Sequence, residues 1–262
     1  MRPHQVIPST TSHKHEPLVP TLEVFAKLGL VDLDLNLNHF IERDTAVGDV
    51  KRALAANGQH VRICSGGWCD FFDEPPKIDR TFASVERQRA LTREFGADRL
   101  RLFFGRLPRE RYSRAARDVV VANIRRLADL DPGLRFVFEN HDGASSQPEV
   151  CREILEGVGR PNVQLNFDPI NFEHAGVRCG PALDQLLPFV AHVHLKGLDH
   201  GEFCEFGAGD VDLVPVLESL IAGGYRGGFT VEYEGRFDRT VRLYESLRRA
   251  RAVIDRLTLP AR

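Results

Sequence analysis

Eight short runs of alternating apolar and polar residues recur along the chain, each followed by a longer stretch with helical periodicity. The runs are QVIPST, LVDLDLNLN, VRICSGG, DRLRLFFG, LRFVFEN, VQLNFDP, HVHLKG and GFTVEYE. The apolar residues that open them (Val6, Val31, Val61, Leu100, Leu134, Val163, Val190 and Phe229) stand roughly 25 to 39 residues apart, the length of one strand–helix unit with its loops. Eight such units in 262 residues, with no long linker and no shift in composition, predict one α/β domain over residues 1–262, a closed (β/α)8 TIM barrel. An open doubly wound sheet is the competitor, because periodicity does not report closure. The count of eight and the missing G-x-G-x-x-G after the first strand favour the barrel.

The helical stretches carry their own punctuation. In 211–224, Leu213, Val216, Leu217 and Leu220 form one apolar stripe, with Asp212 placed to cap the start and Gly223–Gly224 to end it. The last helix shows Phe237, Val241, Tyr244, Leu247, Ala250, Ile254 and Leu257 at three- and four-residue steps, with four arginines on its other faces. Gly29, Asn57–Gly58 and Gly96 stand where left-handed caps belong.

Composition excludes several classes. Lys plus Arg (35) nearly balances Asp plus Glu (37), so the chain lacks the basic excess of a nucleic-acid binder, and no nucleic-acid partner is expected. No apolar run is long enough to span a membrane. The first twenty residues hold no apolar signal segment, and the five scattered cysteines read as reduced thiols, so the expected compartment is the cytoplasm.

Strand parity gives the chemistry. Phe136 and Phe138 oppose Arg135, Val137 and Glu139; Leu165 and Phe167 oppose Gln164, Asn166 and Asp168; Val193 and Leu195 oppose His192, His194 and Lys196; Phe229 and Val231 oppose Thr230 and Glu232. With the apolar faces toward the helices, four late strands each end in an inward metal-type ligand: Glu139, Asp168, His194 and Glu232. Three carboxylates in one cavity repel unless a cation or protons neutralise them. One imidazole with three carboxylates suits a single divalent ion such as Mn, Co, Mg or Zn. Taken singly, each residue has a plainer reading as a cap or ion pair; the coincidence of height across four strands favours the metal. Lys196 fits a carboxylate pair or a substrate contact, and His192 fits a hydrogen-bonded core position. Trp68, Phe71 and Phe72 fit either a pocket wall or loop packing.

FENH (Phe138–His141), NFDPIN (Asn166–Asn171), HVHLK (His192–Lys196) and the run Gly207–Gly235 resemble the xylose isomerase-like TIM barrels, a superfamily of sugar isomerases, ketose 3-epimerases, hydroxypyruvate isomerase, inosose dehydratase and endonuclease IV. The resemblance covers most of the chain and is sharpest in its C-terminal half. It implies that Glu139, Asp168, His194 and Glu232 bind one divalent metal, and that Glu139 and Glu232 double as the acid–base pair around an enediolate. It makes Lys196, Asn140, His141 and Arg101 candidates for holding substrate hydroxyls, with Asn171 and Trp68 beside them. Asn171 replaces a histidine that many ketose epimerases carry, and Asp34 stands for a longer acidic residue at the end of strand two.

The expected activity is isomerisation or epimerisation of a small sugar, keto-sugar or hydroxy-keto acid, with a dehydratase on the same site as the alternative. An endonuclease IV-like nuclease is disfavoured by Asn171 and by Asp210-Val211-Asp212, which lacks an Asp-x-His histidine. A non-catalytic sugar-binding barrel would gain nothing from unpaired buried carboxylates. By analogy with the family a homo-oligomer is possible. His174 is expected on the loop after strand six, where its replacement by alanine should abolish neither metal retention nor activity.

Overall fold

The structure is a computed structural model that describes residues 4–258. Its strands are β1 (Val6–Pro8), β2 (Asp32–Asn36), β3 (His60–Ser65), β4 (Arg99–Phe103), β5 (Arg135–Glu139), β6 (Val163–Phe167), β7 (Val190–Leu195), the hairpin pair β8 (Gly197–Asp199) and β9 (Glu202–Cys204), and β10 (Gly228–Val231). All but β8 and β9 form one parallel sheet in the order β1-β10-β7-β6-β5-β4-β3-β2. An isolated parallel bridge, Ser9 to Asp34, joins its two ends and closes the barrel. The helices are α1 (Leu18–Lys27), α2 (Asn38–Ile41), α3 (Val47–Ala56), α4 (Lys77–Glu94), α5 (Arg114–Leu130), α6 (Pro148–Val158), α7 (Pro169–His174), α8 (Cys179–Leu186), α9 (Val214–Ala222) and α10 (Arg239–Thr258).

Alternation sorts the side chains into two cores. Outward residues such as Phe136, Phe138, Phe167 and Phe229 are fully buried under the helices. Each is worth about 1.5–3 kcal/mol relative to an exposed position. Inside the barrel, Ile7, Ile63 and Val137 pack with Ala191 as a separate cluster, one residue from each odd-numbered strand of β1–β7. This is the layering by alternate strands that fills such barrels. Ala191 joins it because the pairing of β6 with β7 skips that residue, between Leu165–Val190 and Asn166–His192.

Punctuation follows the sequence in several places. Gly29, Gly58 and Gly96 all have positive φ after their helices. The Asp212 carboxylate accepts from the Val214 amide at 2.9 Å, at the start of α9. The strands are shorter than the alternating runs, because their last residues turn into the loops that build the site. Val31 lies before β2 and is 47% exposed.

The start of the last helix differs from expectation. Phe237 precedes α10, and Phe237, Val241 and Tyr244 are exposed; the buried stripe is Leu243, Ser246, Leu247, Ala250 and Ile254. Ser246 occupies the core face because its hydroxyl donates to the Arg242 carbonyl at 2.8 Å and accepts from the Phe206 amide at 3.1 Å. No helix among the described residues is long and apolar enough to cross a membrane. None of the five cysteines forms a disulfide.

Candidate metal centre

A cavity of about 440 Å3 opens at the C-terminal end of the strands, walled in part by Glu139, Glu232, Arg101 and Lys196. Of the expected ligand residues, Glu139 and Glu232 line it, while Asp168 and His194 are fully buried beside them. Glu139 is the last residue of β5, on the inward side with Val137. Glu232 follows β10, and its amide donates to the Leu195 carbonyl at 2.9 Å, prolonging the pairing with β7. Asp168 is the N-cap of α7 in the sequence Asp-Pro-Ile-Asn, with Pro169 in the first turn where its missing N–H costs nothing. Its Oδ1 accepts from the amides of Ile170 and Asn171 at 2.9 and 3.0 Å, which leaves Oδ2 for other partners. Asn140 fixes the Asp168 backbone from the side, donating to its carbonyl at 2.8 Å and accepting from its amide at 2.9 Å.

One ligand atom from each of Glu139, Asp168, His194 and Glu232 lies within 4.8 Å of the others, and all four residues are buried. His194 Nδ1 stands 3.2 Å from Glu139 Oε1 and 3.5 Å from Glu232 Oε2. Asp168 Oδ2, Glu232 Oε1 and both ring nitrogens of His194 make no well-directed hydrogen bond. Buried polar atoms are rarely left this way. Three carboxylates and an imidazole converging, with unmet atoms on Asp168, Glu232 and His194, fit a divalent cation, and the cluster can hold one.

The charges explain how the group stays folded around its carboxylates. Burial by itself pushes the Glu139 carboxyl up, but the Arg101 guanidinium, 3.2 Å away, and His194 outweigh it and hold the group at about 2. Burial opposes charge on His194, yet Glu232 and Glu139 raise its imidazole well above 6.5. A ligating imidazole must be neutral, so a cation at this point displaces that proton. Behind it, His192 is buried in neutral form, its Nε2 2.8 Å from the Thr230 hydroxyl. Lys196 stands 3.0 Å from both Asp168 Oδ2 and Glu234 Oε1.

A sequence profile of the family described as "Xylose isomerase-like TIM barrel" matches residues 25–254. The chain belongs to that family. Among curated relatives, the inosose dehydratase of Geobacillus thermodenitrificans (strain NG80-2) is 28% identical over 139 residues, covering 45% of this chain. The chain spans 47% of the length of that relative. Among solved structures, a D-allulose 3-epimerase from Methylomonas sp., in complex with D-allulose, superposes with a TM-score of 0.81 at 16% identity, covering 96% of this chain and 98% of its own. The IolI protein with a bound zinc atom superposes at 0.79 and 16% identity, covering 97% of each chain. At these identities the superpositions show a common fold.

In this xylose isomerase-like barrel, most residues expected around the substrate stand on the cavity wall: Lys196, Arg101, His141, Asn171 and Trp68. Trp68 stacks on Phe103 with ring centroids 4.3 Å apart and carries the Arg106 guanidinium 3.6 Å from its own ring. Asn140 is placed differently: it is fully buried, and its amide is committed to Asp168. Phe71 belongs to the core beside Phe138, and Phe72 packs edge-on to Tyr112. His174 is the last residue of α7 rather than part of a loop, and it lines the cavity next to Phe203. Glu234, Lys14 and Phe203 also line the cavity and were not among the expected residues. The alternation that places Glu232 inward does the same for Glu234 two residues later, a signal present in the sequence.

Proposed function

We propose that the chain is a metal-dependent isomerase or epimerase of a small sugar, keto-sugar or hydroxy-keto acid, with Glu139 and Glu232 as its acid–base pair. The observation that carries the reading is the placement of these two carboxylates, 3.2 and 3.5 Å from the same nitrogen of His194, in a cavity open to small molecules. Glu139, Asp168, His194 and Glu232 would hold one divalent ion (Mn, Co, Mg or Zn). When bound, the ion supplies Lewis-acid polarisation of a substrate carbonyl. One glutamate removes the proton from the carbon beside that carbonyl, and its partner returns a proton to the same or the neighbouring carbon. Arg101, Lys196, His141 and Asn171 donate hydrogen bonds that orient substrate hydroxyls, and Trp68 offers an apolar wall.

The similarity to an inosose dehydratase favours a second reading, in which one glutamate removes the proton and its partner protonates a neighbouring hydroxyl, which leaves as water. One experiment separates the two. The Mn-loaded protein is incubated in D2O with a panel of ketoses, inososes and hydroxy-keto acids, and the products are followed by NMR. Deuterium at a carbon next to the carbonyl, with an isomer or epimer as product, supports the first reading. A product lighter by one water selects the second, and a panel with neither exchange nor product rejects both.

A further inference from the structure

The Lys196 side chain is 2% exposed and has two carboxylate neighbours at the same distance, Asp168 Oδ2 and Glu234 Oε1, each 3.0 Å from Nζ. The two contacts are unlike in kind. The ammonium directs a hydrogen bond at Glu234, whereas Asp168 Oδ2 receives no well-directed bond from any donor. Glu234 has a second ammonium, Lys14, at 3.0 Å on its other oxygen, so it is held from both sides.

We propose that Glu234 is a positioning residue that shares the Lys196 ammonium with Asp168, takes its directed hydrogen bond, and so leaves Asp168 Oδ2 easier for a divalent cation to claim. The inference rests on the metal centre assigned above and goes beyond it, since Glu234 is not one of the four ligands. An ammonium and a divalent ion compete for the same carboxylate lone pairs. With Glu234 present, the ammonium's charge is divided between two carboxylates and one of its three N–H groups is directed at Glu234 rather than Asp168. Without it, Asp168 is the nearest remaining anion to a buried ammonium, and buried charges are strongly driven to pair. A cation would then have to displace Lys196 before it could bind.

The test is a double-mutant cycle on Mn2+ affinity, measured by titration calorimetry on metal-stripped full-length protein. The variants are Glu234→Gln, Lys196→Met and the two combined, with circular dichroism confirming that each is folded. Glu234→Gln should weaken Mn2+ binding about ten- to hundredfold, the scale on which residues behind metal ligands act. In the Lys196→Met background the same substitution should change affinity by less than about twofold, because the competing ammonium is gone. Equal weakening in both backgrounds would mean that Glu234 acts only as a distant negative charge, and the proposal would fall. It would also fall if Glu234→Gln bound Mn2+ as the parent does. A parent protein that binds no Mn2+ at all would instead overturn the metal centre, and this proposal with it.

Discussion

The Nε2 atom of His194 stands 3.8 Å from Oδ2 of Asp34, at the opposite end of the ring from Glu139 and Glu232, and both side chains are fully buried. Asp34 is itself held by the Ser65 hydroxyl at 2.8 Å. Burial raises the Asp34 carboxyl to about 6, against the pull of His194. At this distance Asp34 makes no hydrogen bond to the ring and acts on the imidazole through its charge. Asp34→Asn keeps the shape and removes the charge. It should lower divalent-metal affinity, read by competition with a chromogenic chelator; unchanged affinity would leave Asp34 with a structural role only.

Glu232→Gln and His194→Ala each remove one of the four converging groups. Both should lose metal on dialysis, from about one ion per chain to well below that by elemental analysis, and both should lose turnover. A variant that keeps its ion and its activity would show that the site is assigned to the wrong residues. His174→Ala, on the cavity wall but outside the four, should retain the metal and affect at most substrate affinity.

Stability should also depend on pH through a residue remote from these charges. Burial lowers the His39 imidazole to about 4. The unfolded chain takes up a proton there below about pH 6.5, whereas the folded chain resists until near 4. The unfolded state therefore binds more protons in that window, and His39 makes stability fall as pH drops through it, by of order 3 kcal/mol at full extent. Urea unfolding at pH 7 and pH 4.5 should show a smaller acid loss in His39→Gln than in the parent. Parallel losses would exclude His39 as the source.

Gly66 follows β3 on the cavity wall. A Cβ there would lie 2.8 Å from the Arg101 carbonyl oxygen and would also meet the Gln88 side-chain oxygen. Gln88 can swing aside, but the backbone of β4 cannot. Gly66→Ala should therefore cost about 1–3 kcal/mol, seen as a lower midpoint in thermal unfolding. A midpoint within a degree of the parent would show that β4 yields more easily than this packing implies.

The inward and outward faces of β5, β6, β7 and β10 are legible because one side meets apolar helices and the other a polar cavity, so Glu139, Asp168, His194 and Glu232 stand out by parity alone. Glu234 was equally legible, one alternation further on, where the chain has left the sheet. Other features depend on contacts that no local pattern encodes. The approach of Asp34 to His194 joins β2 to β7 and exists only once the barrel is closed. Ala191 changes face through a skipped residue in the β6–β7 pairing, which the period-two reading passes over. Asn140, next to Glu139, looks like a substrate donor in sequence; only the structure shows its amide spent on the backbone of Asp168. The first turns of α10 mislead for a different reason, since a serine replaces an apolar residue on the core face.

The bridge between Ser9 and Asp34 gives the barrel's seam a second consequence. β1 is only three residues long, so this edge has few backbone bonds with which to zip shut. Asp34, at the bridge, is also the carboxylate that faces His194. The position that closes the barrel is thus also the one that sets a negative charge beside the imidazole. During refolding, cation capture should therefore keep time with seam closure rather than with the formation of helices.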